Sequence, residues 1–131
     1  MIPRRPVLAG LALALLGGAA LAKGTAMEDE SGPYGMIGKM KAQPGKRAEL
    51  IEILGAGTGD MPGCLAYLIA EDAKEPDVIW ITEIWDRKAS HDASLALPAV
   101  KAAIAKGRPL IAGFEMSAET RPVSEASFIK A

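Results

Sequence analysis

The run Val78 to Trp85, V-I-W-I-T-E-I-W, constrains the fold more than any other stretch of this chain. It is β-branched and aromatic and follows Pro76-Asp77, the pattern of a strand. Alternation places Val78, Trp80 and Ile84 on one face and Ile79, Ile81 and Trp85 on the other. A strand apolar on both faces needs cover on both, so helices on one side leave the opposite side in need of a partner. After Trp85 the sequence becomes polar and helix-compatible, with Asp86 as the expected N-cap. His91, six positions beyond Trp85, then falls about one to one and a half turns into the helix. The expectation is that Trp85 and His91 face one cavity.

The flanking sequence supplies the remaining elements. Tyr34 to Ala42 alternates, with Met36, Gly38, Met40 and Ala42 opposite Ile37, Lys39 and Lys41, as in a strand. Gln43-Pro44-Gly45 turns the chain. Lys46 to Leu54 gathers Leu50, Ile51 and Leu54 on one helical face, with Gly55 and Gly57 as stop signals. The following Gly-Ala-Gly-Thr-Gly does not read as a phosphate cradle, because a dinucleotide fingerprint needs a strand before its glycines and a helix after them. Cys64 to Glu71 is a second strand, joined to the third by a polar connection. The helix carrying His91 runs to about Leu97, and Pro98 opens another helical segment in which Val100, Ala103, Ile104 and Gly107 share a face. Phe114 to Thr120 alternates Phe114, Met116 and Ala118 against Glu115, Ser117 and Glu119 as a fourth strand. The order is that of an α+β, ferredoxin-like βαββαβ plait with an antiparallel sheet. The doubly apolar third strand adds the expectation of a homodimer packed sheet against sheet, a dimeric α/β barrel.

The N-terminus reads as an address. Arg4 and Arg5, an uncharged run from Val7 to Leu21 and Ala20-Leu21-Ala22 match a charged, then apolar, then small-x-small signal, with cleavage before Lys23. Arg4-Arg5-Pro6-Val7-Leu8 also resembles the twin-arginine export motif, although Pro3 and Ala9 depart from its usual flanks. The expected organisation is a signal at 1–22, a flexible lead-in at 23–33, one domain at 34–123 and a tail at 124–131. Export would place the protein in the periplasm or outside the cell, with membrane attachment only through an uncleaved signal.

Losing Arg4 and Arg5 leaves 13 basic against 16 acidic residues, so the mature chain is mildly acidic and lacks the basic surface a nucleic acid requires. One cysteine, Cys64, excludes an intramolecular disulfide, and a single histidine beside it argues against a dedicated transition-metal site.

Four motifs in order point to a family. Pro44-Gly45-Lys46-Arg47, Pro62-Gly63-Cys64-Leu65-x-Tyr67, Glu83-x-Trp85 and His91-Asp92-x-Ser94-Leu95 resemble the antibiotic biosynthesis monooxygenases, and within them the small quinol monooxygenases. The resemblance implies a dimeric ferredoxin-like protein with a pocket between sheet and helices, lined here by Trp85 and His91. It further implies oxidation of a quinol or similar phenolic aromatic by O2 with no metal, flavin or other prosthetic group. A haem-degrading branch uses an asparagine, and this chain contains none. A branch acting on small signalling molecules stays open.

In that setting His91 is the candidate proton acceptor, since a quinol must lose a proton before it readily gives an electron to oxygen; otherwise it is a surface or cap residue. Asp92 points about 100° away around the helix and is a poor candidate for orienting the imidazole. Glu83, on the face of Trp85, is a candidate for that task or else a cross-strand partner. Trp85 offers a flat wall and an N–H donor to an aromatic substrate, or is a core or interface residue. Tyr67 is a candidate donor to a substrate oxygen or a packing residue, and Met36, Met40 and Met116 suit an adaptable pocket or a core. Trp80 and Cys64 read as structural. The competing function is a non-catalytic small-molecule-binding or stress-response dimer of the same fold.

Overall fold

The order found is the order the patterning implies. The computed structural model describes residues 31–124. Within them run β1 (Tyr34–Ala42), α1 (Arg47–Gly57), β2 (Cys64–Glu71), β3 (Val78–Trp85), α2 (Lys88–Ser94), α3 (Pro98–Gly107), a 3₁₀ turn at Arg108–Leu110 and β4 (Ile111–Thr120). The expected signal at 1–22, the lead-in up to residue 30 and the tail from residue 125 lie outside the described residues. Among the described residues no helix is long and apolar enough to cross a membrane.

The four strands form one sheet in the order β2-β3-β1-β4, every neighbour antiparallel, which is the ferredoxin-like plait. The most polar positions of β1, Lys39 and Lys41, lie on the face without helices, opposite Trp80 and Val78. Met40 and Ala42 turn the other way and are buried with Leu50 of α1 and with Ile79 and Ile81 of β3. A second cluster gathers Tyr34, Met36, Met61, Trp85 and Val100 near the opposite end of β1. Tyr67 packs against both clusters.

Two of the recognised motifs have identifiable mechanical roles. Arg47, after the Pro44-Gly45 turn, donates from Nη1 to the carbonyls of Glu75 and Val78 at 3.0 and 3.2 Å, tying α1 to the β2–β3 connection. Gly63 has φ +86, and a Cβ there would collide with Ser90 and Asp86. Only glycine combines that conformation with that clearance, and the result is α2 seated against the start of β2, one residue from His91.

Four boundary expectations need correction. The first helix does not stop at Leu54. It continues to Gly57, where a side chain would strike Ala103 of α3, and the Thr58 hydroxyl bonds the Leu54 carbonyl at 2.8 Å. Helix packing thus outweighs the intrinsic stop signal of Gly55. Asp86 is not the N-cap of α2. Its N–H instead extends the sheet by bonding the Gly63 carbonyl at 2.9 Å, and Arg87 takes the cap position without a side-chain bond. The helix carrying His91 ends at Ser94 rather than Leu97, because Pro98 restricts the residue before it to an extended conformation and starts α3. The fourth strand begins at Ile111 and carries two irregularities against β1. The extra residue between Phe114 and Met116 reverses the alternation. Phe114 therefore pairs with Met40 on the helix side, whereas Met116 and Ala118 pair with Lys39 and Ile37 on the opposite face.

A buried carboxylate and imidazole at the candidate active site

The sheet register builds the site. Glu83 lies in a central strand with Met36 opposite it on β1 and Tyr67 opposite it on β2. All three side chains take the face covered by the helices, and the next residue on that face is Trp85. A carboxylate at such a position costs free energy unless it is partnered, and Glu83 has two neighbours. The Trp85 indole N–H donates to its Oε1 at 2.9 Å, and His91 Nε2 stands 3.8 Å from the same oxygen.

His91 reaches this point from α2. It is 5% exposed, with its ring 5.5 Å from the Trp85 ring in an edge-on arrangement and 5.3 Å from the Tyr34 ring at 47°. Its Nδ1 lies 3.1 Å from Asp92 Oδ1. Ser94, one turn on, bonds the His91 carbonyl at 2.6 Å. The imidazole is thus held by two aromatic rings and a carboxylate, with its Nε2 edge toward Glu83.

Between sheet and helices lies a cavity of about 170 Å³. Met36, Met40 and Ile81 form its floor, Trp85 one wall, and Leu54, Val100 and Ile104 its helical roof; Tyr67, Glu83, His91 and Ser94 supply polar atoms, and Arg108 lines it from the 3₁₀ turn. An apolar chamber with a few converging polar groups is the usual form of a small-molecule site.

Burial is the largest influence on Glu83 and pushes its carboxyl above the ordinary 4.5, with the Trp85 hydrogen bond and His91 opposing it. Burial likewise raises the phenol of Tyr67, reinforced by the charge of Glu83, so Tyr67 stays protonated. Among the described residues its hydroxyl has no hydrogen-bond partner and is not sealed away, so it borders open cavity space as a donor. The Cys64 thiol is also pushed up by burial, and its Sγ contacts the Ala66 carbonyl at 3.5 Å, the environment of an unreactive cysteine. Among the described residues no group of three or more His, Cys, Asp or Glu is arranged to hold a metal ion.

The structure therefore brings His91, Trp85, Glu83, Tyr67, Met36 and Met40 around one cavity. It separates Trp80, whose N–H bonds Asp72 Oδ2 at 2.8 Å on the helix-free side. Two expectations are corrected. The Trp85 N–H is engaged by Glu83, so Trp85 offers a substrate its ring and not its donor. Asp92 contacts the imidazole despite its 100° offset, because Nδ1 is close to the helix backbone and a neighbouring carboxylate can bend around to it. Tyr34 was not identifiable from sequence. Its hydroxyl donates to Glu119 Oε2 at 2.7 Å, 85 positions away, and the only available signal was its place in alternation with Met36.

The raised Glu83 carboxyl predicts a stability effect of definite sign. The folded state holds this proton to higher pH than the unfolded chain, so the contribution is full below about 4.5 and is lost as pH rises through the raised value. Glu83→Gln keeps an acceptor for Trp85 and cannot ionise. Thermal unfolding between pH 4 and pH 8 is expected to show the variant gaining on wild type as pH increases; a difference independent of pH would contradict this placement of Glu83.

The sequence profile described as antibiotic biosynthesis monooxygenase matches residues 33–106. A solved protein of Chloroflexus aurantiacus J-10-fl assigned to those monooxygenases is 58% identical, with 71% of this chain and 95% of that chain covered and a TM-score of 0.70. One from Deinococcus radiodurans with the same assignment is 28% identical over 70% of this chain and 94% of its own, TM-score 0.60. A Caulobacter crescentus CB15 structure, 23% identical over 78% and 99%, shares the fold with a TM-score of 0.65. No curated protein matches. Element order, sheet order, profile and the 58% identical relative agree, and the chain belongs to the antibiotic biosynthesis monooxygenase family.

Proposed function

We propose that the protein is a cofactor-independent monooxygenase that oxidises a quinol or related phenolic aromatic with O2. The observation that carries this reading is the convergence of a largely buried carboxylate, an imidazole and a phenol unpartnered among the described residues on an otherwise apolar cavity. A quinol ring fits against Trp85 and the methionines, with one hydroxyl at the Glu83–His91 pair and an oxygen within reach of Tyr67. Transfer of the hydroxyl proton leaves an electron-rich anion that reduces O2 in a mostly apolar space. An oxygen-electrode screen of purified protein against a panel of quinols tests the reading. Oxygen uptake dependent on both protein and quinol supports it, and none across the panel contradicts it.

The reading includes a homodimer and export. The helix-free sheet face carries Leu65, Leu68 and Met116, exposed by 51%, 61% and 42%, beside the half-buried Ile37, Trp80 and Ile84. A second copy of the face would cover them. Leu68→Asp is expected to convert a sedimenting dimer to monomer at micromolar concentration with unchanged far-ultraviolet circular dichroism; a monomeric wild type would contradict the dimer. Export rests on the signal pattern at 1–22, and the size of the mature protein recovered from the periplasm tests it.

A further inference from the structure

Neutral imidazole has one N–H and one bare nitrogen, and which is which decides whether His91 can take a proton from the cavity. Two carboxylates compete. Asp92 Oδ1 is 3.1 Å from Nδ1, within hydrogen-bond range, whereas Glu83 Oε1 is 3.8 Å from Nε2, beyond it. Glu83 makes no competing demand on the Nε2 proton, since its Oε1 already accepts from the Trp85 N–H at 2.9 Å. Asp92 is itself fixed, because Lys88, one turn earlier on α2, approaches its Oδ2 at 3.2 Å and its Oδ1 at 3.5 Å, while Oδ1 lies closer to the histidine than to the lysine. The rings of Tyr34 and Trp85 hold the imidazole plane.

We propose that Asp92 is the positioning residue of His91: it accepts the Nδ1 proton, so Nε2 presents a bare lone pair to Glu83 and the cavity. The inference rests on the oxidation reading above for its catalytic consequence. In the step it serves, the substrate O–H bond breaks, an Nε2–H bond forms, and the imidazolium lies between the carboxylates of Asp92 and Glu83. Asp92 never meets the substrate. Its partly exposed position on α2 lets it be altered without disturbing the core.

The chain's single histidine makes the test direct, since every imidazole signal belongs to His91. In ¹⁵N-labelled wild type at a pH where the ring is neutral, the expected spectrum has Nδ1 protonated and Nε2 bare. Asp92→Asn, whose amide can donate to Nδ1, is expected to raise the Nε2–H form and to lower kcat about 10- to 100-fold, below the ~10⁴-fold loss of a fully buried dyad, with KM within about twofold. Wild type in the Nε2–H form, or a variant with an unaltered tautomer, overturns the proposal. No oxygen uptake by wild type would defeat the oxidation reading alone, because the spectrum still decides the role of Asp92. Normal kcat in a variant whose tautomer has changed would overturn the catalytic consequence alone.

Discussion

His91→Ala is expected to lower quinol-dependent oxygen consumption by about 10²- to 10⁴-fold, the usual contribution of a positioned proton acceptor. The histidine is 5% exposed and lines the cavity, so its loss removes the imidazole beside the Glu83 carboxylate without touching the floor on which a ring would rest. The loss is therefore expected in kcat, with KM little changed. Glu83 remains in the variant, and its carboxyl, raised by burial, is the residual proton acceptor. Activity of the double variant His91→Ala/Glu83→Gln is accordingly expected to be lower than either single variant. Oxygen-electrode kinetics check both statements, and an unchanged rate in His91→Ala would remove the imidazole from the chemistry.

Trp85→Ala is expected to have the largest effect on stability, on the order of 3–5 kcal/mol for loss of a buried aromatic side chain. Trp85 is 1% exposed, packs with Tyr34, Met36, Met61 and Val100, and gives Glu83 its indole donor. Truncation opens a void beside a carboxylate that then lacks its hydrogen bond, adding about 1–3 kcal/mol. Against a typical domain stability of about 5–15 kcal/mol, that is a large fraction. Trp85→Phe separates the causes by restoring most of the volume but not the donor. Denaturant melts are expected to order wild type above Trp85→Phe above Trp85→Ala. Equal stability of the last two would show that the hydrogen bond, and not packing, dominates.

The fold was legible because each element announces itself locally. β3 is bounded by Pro76-Asp77, α1 by a turn and glycines, and α3 by Pro98, and four strands and three helices in this order leave few topologies. Alternation alone grouped Met36 with Met40 on one face of β1 and Glu83 with Trp85 on one face of β3, and the strand register puts those two faces on the same side of the sheet. Where alternation failed, at Phe114 to Met116, a bulged residue reversed it, and nothing in that short polar and apolar mixture marks a bulge. The first helix ran past its glycine signal because Gly57 fits against Ala103, a contact between residues 46 positions apart.

The site was legible only in part, for a related reason. Sequence spacing describes where side chains leave the backbone, not where their ends meet. Asp92 leaves α2 well away from His91 and still reaches its Nδ1. Trp85 leaves β3 toward the cavity, and its N–H turns back to the residue two before it. Tyr34 joins the imidazole through strand register and α2 docking, both set by long-range contacts such as the clearance at Gly63.

Oxidation of an active quinol under ¹⁸O2, with mass analysis of the product, tests the central claim most directly. The account predicts that one atom of ¹⁸O enters each product molecule and that the protein, stripped of metals by chelation and free of flavin or haem absorbance, retains its rate. Unlabelled quinone with stoichiometric hydrogen peroxide, or activity that vanishes with the chelated metal, would contradict it.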